Sequence, residues 1–288
     1  MDNSNKEIPT GNFLKLAKIN TIAATPSDIS FEQIKQNIKR PHMRLHEMAS
    51  FKVPKGPMPI ALVGGGPSLS EYVHELNFFD GVVVACGSAY DYLIEQNIVP
   101  TYCVLCDPDE ITAAYITKPN KATTFLVATQ CHSKVFETLK GYAIIMWHCY
   151  NEEFERFKEI DPTFQAVGGG CTVGLRALSI AIMLGYSNIH FYGFDSCLGV
   201  NNHHHAYSFN ANEELGELYI ISLDINDPKQ TFVCAGYHLA QVQHFQEFFA
   251  NYHGFFKPVF HGTGLLPAMM QKMNDAIALA KTKESNLT

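Results

Sequence analysis

The sequence predicts an α/β protein with a Rossmann-like, mostly parallel sheet and helices on both faces. Three observations carry this reading. From Pro59 onward, short apolar runs alternate with amphipathic stretches at the spacing of strand–helix units. Two glycine-rich turns, Gly64–Gly66 and Gly168–Gly170, each join the end of an apolar run to the start of a helix. The chain has 288 residues, 47% hydrophobic and 17% charged, enough to bury a large core.

The elements follow in order. Residues 1–54 are more polar, and FEQIKQNIKRPHMRLHEMASF reads as helix broken at Pro41, an N-terminal helical arm packed on a domain spanning 55–288. PIALVGG is a strand and PSLSEYVHEL a helix opened by Pro67 and Ser68. GVVVACG, TYCVLCD, TTFLVAT and YAIIMWH are strands, with SAYDYLIEQN and HSKVFETLK as helices between them. GCTVGLRALSIAIMLGY is a long, mostly buried helix that leads into the strand NIHFYGFD. Past Asp195 the rhythm stops. CLGVNNHHHAYSFNANEELGE is too long for an ordinary connection and reads as a lid or binding loop. ELYIISLDI and QTFVCAG suit a hairpin. Helix GYHLAQVQHFQEFFANY, strand KPVFHG and a helix from Leu265 to about Lys281 close the domain.

Composition narrows the function classes. The charged fraction lies below the typical ~25%, which argues for a compact protein. A formal charge of −7 argues against a nucleic-acid partner. The opening MDNSNKEIPT lacks the basic-then-apolar order of a secretory signal. The longest helix-like apolar stretch, Cys171 to Tyr186, is too short for a bilayer and contains Arg176. A cytoplasmic protein with no membrane span is expected, and self-association stays open. The eight cysteines are scattered through apolar segments. Cys103 and Cys106 lie three apart on a strand and so point to opposite faces, which makes them buried thiols and not a metal pair.

In an open parallel sheet, ligands bind beyond the carboxyl ends of the strands. At the first turn, Gly64, Gly65, Gly66, Pro67 and Ser68 combine free amides, a hydroxyl and a helix start, a combination that would hold a phosphate. It is neither a P-loop nor a complete dinucleotide fingerprint, and a tight turn without ligand fits the same letters. The second turn repeats the logic with Gly169, Gly170, Cys171 and Thr172. Two such turns favour a ligand with two anchoring points, such as a nucleotide-linked substrate. Asp107 and Asp109 end one strand and Asp195 another; they could hold Mg²⁺ or a ribose, or cap helices. His203, His204 and His205 lie in the long loop, His238 opens a helix, and His261 ends a strand. His244 and His253 read as packing or surface residues.

The order VGGGPSLSEYVHEL, VVVACGSAYDYLIEQNIVPTYCVLCDPDE, GGGCTVGLRALSIAIMLGYSNIHFYGFD and HHHAYSF resembles the MptE-like family over roughly residues 55–265. That family includes the archaeal 6-hydroxymethylpterin diphosphokinase and bacterial motility accessory factors implicated in flagellin glycosylation. The same order is similar to bacterial sialyltransferases that use CMP-sialic acid. That second resemblance implies that Gly64, Gly66, Pro67 and Ser68 cradle the nucleotide phosphate, and that Thr172 contacts the nucleotide sugar. It also implies that Tyr207 or a neighbour steadies the leaving phosphate and that His238 is the base. The strand ending CDPDE departs from the asparagine-bearing turn of those enzymes and suits a metal-assisted reaction.

Three functions compete. The first is a transferase moving a sugar, in one version a nonulosonic acid, from a nucleotide to a hydroxyl acceptor, with His238 as base. The second is a diphosphokinase acting on a 6-hydroxymethylpterin-like alcohol, with Mg²⁺ on Asp107 and either Asp109 or Asp195. Against it stands the scarcity of Lys and Arg near the glycine turns, Arg176 being the nearest. The third is a non-catalytic binding protein on the same fold.

Overall fold

A computed structural model describes residues 6–8, 31–49, 58–150, 157–163, 165–200, 202–207, 215–223 and 230–285. Among them run the strands β1 (Lys6–Ile8), β2 (Met43–Arg44), β3 (Pro59–Val63), β4 (Val82–Cys86), β5 (Tyr102–Leu105) and β6 (Thr124–Ala128). They continue with β7 (Ala143–Cys149), β8 (Ala166–Val167), β9 (Asn188–Tyr192), β10 (Leu218–Leu223), β11 (Gln230–Ala235) and β12 (Lys257–His261). The helices are α1 (Phe31–Ile38), α2 (Leu45–Ala49), α3 (Leu69–Tyr72), α4 (Ala89–Glu95), α5 (Ser133–Thr138), α6 (Val173–Met183), α7 (Gly236–Tyr252) and α8 (Leu265–Ser285).

The core is a nine-stranded sheet in the order β12-β9-β3-β4-β5-β6-β7-β2, with β8 also paired to β7. Its pairings are parallel. This is the Rossmann-like fold the alternation predicts. From β3 the chain builds outward through β4 to β7, then returns to place β9 on the other side of β3. The β3/β9 boundary is therefore the switch point, where neighbouring loops leave in opposite directions and open a crevice. Ile60 to Val63 are all buried, because helices cover both faces of a central parallel strand.

The expected strands form at their predicted places, including the antiparallel β10–β11 hairpin, to which β1 adds in parallel. PSLSEYVHEL is less regular than predicted, with the short α3 passing into a 3-10 turn at Val73–Phe78. Val73 and Leu76 are both buried there, and a 3-10 turn brings residues three apart onto one face. Within 1–54, read as a helical arm, β2 joins the main sheet and β1 the hairpin. Asn37 of α1 donates to the Thr129 and Cys131 carbonyls at 3.0 and 2.9 Å, fastening α1 to the end of β6. Residues 1–5, 9–30 and 50–54 of that arm, and residues 201 and 208–214 of the predicted lid, lie outside the described residues.

Candidate active site at the switch point

A cavity of about 310 Å³ opens at the carboxyl ends of β3, β4, β5 and β9. Both glycine turns reach it. Gly64–Gly66 line one side and Cys171–Gly174 another, joined by Asp107, Gly193–Cys197, His204, His205, Tyr237, His238 and Gln241. Pro67, Ser68, Asp109, Gly169, Gly170 and Tyr207 are not among its lining residues.

The first turn is built by backbone meeting backbone. Gly64 N–H donates to the Tyr192 carbonyl and Gly66 N–H to the Gly193 carbonyl, each at 2.8 Å. A Cβ on Gly66 would lie 2.6 Å from that same oxygen. Gly193 takes φ +63°, a conformation glycine enters without steric cost. Ser68 N–H donates at 2.9 Å to Oδ2 of Asp195, 127 residues away. Asp195 is 2% exposed, and burial raises its carboxyl above the usual range, opposed by the Ser68 contact. So three amides expected for a phosphate serve the fold, and Asp195 holds the first helix start. Ser68 Oγ, Asp195 Oδ1 and His205 Nδ1, buried around this turn, have no hydrogen-bond partner among the described residues.

At the second turn the start of a helix faces the cavity. Thr172 is the N-cap of α6, its Oγ1 accepting from Leu175 N–H at 3.3 Å. Val173 and Gly174, the first two residues of α6, line the cavity, where helix amides have no partner one turn back. Gly169 and Gly170 have φ of +124° and +97° and pack behind the turn against Leu175 and His244. Gln241 ties the site across the crevice, donating to Thr172 Oγ1 at 3.3 Å and accepting from Ser196 Oγ at 2.9 Å. The sequence reading missed Gln241, although it stands three residues after His238, on the same face of α7. His244, expected to be a packing or surface residue, packs behind the turn, where its Nδ1 accepts Cys171 N–H at 3.2 Å.

The histidine loop folds over the first turn. Ala206 N–H donates to the Gly65 carbonyl at 2.9 Å. His205 and Tyr207 stack, with centroids 5.2 Å apart. Tyr207 shares a 2.7 Å hydrogen bond with Ser88 Oγ and stacks on Tyr92, and burial raises its hydroxyl pKa. It therefore supports the loop from behind. His204 Nδ1 bonds Tyr237 Oη at 2.8 Å. His238 is 6% exposed and its Nδ1 accepts Ala235 N–H at 3.0 Å. Burial, reinforced by His204 and His205, lowers its pKa to about 3; burial and His204 lower that of His205 to about 4.

Asp109 turns away from the cavity, Oδ1 accepting Ile111 N–H at 3.2 Å to cap a 3-10 turn. Among the described residues no three His, Cys, Asp or Glu side chains gather closely enough to hold a metal ion. His203 is exposed, and His261 bonds His190 and Glu75 at 3.0 and 2.8 Å away from the cavity lining. The cysteines are free thiols; Cys103 is buried and Cys106 half-buried, with both thiol pKa values raised by burial. No described helix is long and apolar enough to cross a membrane.

Fold and cavity together define a Rossmann-like α/β protein with a crevice at its switch point, walled by the first glycine turn, the helix start that follows the second, and a histidine loop. The chain belongs to the MptE-like family, described as 6-hydroxymethylpterin diphosphokinase MptE-like, which matches residues 30–201. Among solved structures it is similar to the MAf glycosyltransferase from Magnetospirillum magneticum AMB-1, with 12% identity and a TM-score of 0.58. That match covers 81% of this chain but only 37% of the glycosyltransferase. A mammalian sialyltransferase, solved with Gal-beta-1-3GalNAc-ortho-nitrophenol, is more distant at 11% identity and a TM-score of 0.40, covering 82% of this chain and 85% of its own. No curated protein matches the chain in sequence.

Proposed function

We propose that the chain is a transferase that moves a sugar from a nucleotide carrying a single phosphate to a hydroxyl acceptor. One observation carries the reading: the cavity offers helix amides, hydroxyls and imidazoles, but no Lys or Arg among its described lining residues. The N-terminus of α6 carries roughly half a positive charge, which suits one phosphate. Di- and triphosphates want several cations, and this cavity adds the carboxylates of Asp107 and Asp195. In the reaction the acceptor oxygen bonds the anomeric carbon while the bond from that carbon to the phosphate oxygen breaks. The electron pair stays on the phosphate, and the proton of the acceptor hydroxyl is released to water. Amides fixed before the reaction stabilise the charge that grows on the leaving oxygen. CMP-linked nonulosonic acids belong to this class of substrate.

A second reading, a Mg²⁺-assisted diphosphokinase acting on a 6-hydroxymethylpterin-like alcohol, draws on the family description and on Asp107 at the cavity wall. Mg²⁺ commonly uses one or two carboxylates, with phosphates and water as its remaining ligands. Thermal melting with CMP, CDP, UDP, ADP and ATP, each with and without Mg²⁺, separates the readings. Saturating CMP should raise Tm by about 5–10 °C without metal, from about 2.7 kcal/mol of linkage at a hundredfold excess over Kd. Stabilisation by ATP that requires Mg²⁺ would favour the diphosphokinase, and silence toward every nucleotide a non-catalytic binding protein.

A further inference from the structure

We propose that His238 is a fixed hydrogen-bond donor, presenting Nε2–H to an anionic phosphate oxygen, and that the acceptor proton passes to water. This rests on the transferase reading for its ligand, but on the protein alone for its chemistry. His238 is the third residue of α7, the position at which a capping box places Glu or Gln to accept the N-cap amide. Here the imidazole takes that part, with Nδ1 3.0 Å from the Ala235 nitrogen. A ring nitrogen that accepts an N–H bond carries the lone pair, so the neutral ring holds its proton on Nε2. The backbone thus selects the tautomer.

The remaining nitrogen belongs to a residue that lines the cavity beside His204, His205 and Tyr237. The Tyr237 ring lies 4.2 Å from that of His238, and the other two imidazoles oppose any added charge on it. A general base needs an open lone pair directed at the acceptor. The lone pair of His238 is spent on its own helix start. When the sugar–phosphate bond breaks, the electron pair remains on the phosphate oxygen and Nε2–H bonds to it without giving up the proton.

Two measurements on the full chain test this. The first is ring ¹⁵N NMR of the ligand-free protein, with the His238 signal assigned by its loss in His238→Gln. A neutral Nε2–H ring from pH 5 to 9 is expected; an Nδ1–H ring, or protonation with a midpoint above about 6, overturns the proposal. The second is binding of inorganic phosphate and of CMP to wild type and three variants. His238→Gln keeps both an acceptor for Ala235 and an N–H for the ligand, and should bind phosphate within about threefold of wild type. His238→Glu keeps the cap but offers no N–H, and His238→Ala keeps neither; both should bind at least tenfold more weakly. Equal binding by Gln and Glu variants, or no phosphate binding by wild type, overturns the donor role. If the phosphate pattern holds while CMP binds no better than phosphate, the nucleotide reading fails and the role of His238 stands.

Discussion

Replacing Gly66 with alanine should be among the most damaging single-methyl changes in this protein. The added carbon would sit 2.6 Å from the Gly193 carbonyl oxygen and press on Asp195 Oδ2. Neither can step aside by changing a rotamer. The oxygen is backbone, held by Gly66 N–H at 2.8 Å, and the carboxylate is held by Ser68 N–H at 2.9 Å. Ordinary carbon contacts need about 3.5 Å, so the turns must separate by nearly an ångström. Overpacking alone costs about 1–3 kcal/mol, and a weakened bond to a buried carboxylate adds about 1.5–3 kcal/mol. Both follow from one displacement, so a total near 4 kcal/mol, or about 10 °C in Tm, is expected. Gly168→Ala is the control, because a Cβ there meets nothing within 4 Å; it should stay within about 0.5 kcal/mol of wild type. Calorimetry and urea titration measure both. A Gly66→Ala protein melting within 2 °C of wild type, or a Gly168→Ala protein losing as much, would refute the argument that backbone contact sets the first turn.

Acidification from neutral pH should destabilise the fold through three buried histidines. Burial lowers His148 and His205 to about 4, and burial with its two histidine neighbours lowers His238 to about 3, against about 6.5 unfolded. Between pH 6.5 and 4 the unfolded chain binds protons that the folded chain refuses. Stability therefore falls as pH falls, by up to about 1.4 kcal/mol per pH unit for each histidine. Urea midpoints at pH 7, 6 and 5 check this, and a flat series contradicts it. Gln241→Ala should weaken CMP binding about fivefold by untying Thr172 from Ser196, at a stability cost near 1 kcal/mol; calorimetric affinity equal to wild type would show that the bridge does not organise the site.

The sheet was legible because its strands are set by local patterning: PIALV, VVVAC and TFLVA read as strands without their neighbours. The site was legible only in outline. That the turns at 64–69 and 168–172 would open on one rim followed from both leaving carboxyl strand ends; which of their residues line the cavity, Gly64–Gly66 and Cys171–Thr172, did not. The partner of each polar atom did not follow, because such partners are tertiary. Ser68 N–H finds Asp195, Tyr207 finds Ser88 across 119 residues, and Cys171 N–H finds His244 across 73. The role of Asp109 is local, an amide two residues on, and capping was indeed one of the readings open for it.

The placement of β9 beside β3 has a consequence for biosynthesis. β3 precedes β9 by more than a hundred residues, yet β9 is its only companion on that side. A nascent chain leaving the ribosome therefore carries one edge of PIALV unpaired until β9 follows, the kind of edge that recruits chaperones or sticks to its own copies. Fragments that stop short of Asn188 inherit this hazard permanently, while those that extend through Tyr192 seal it.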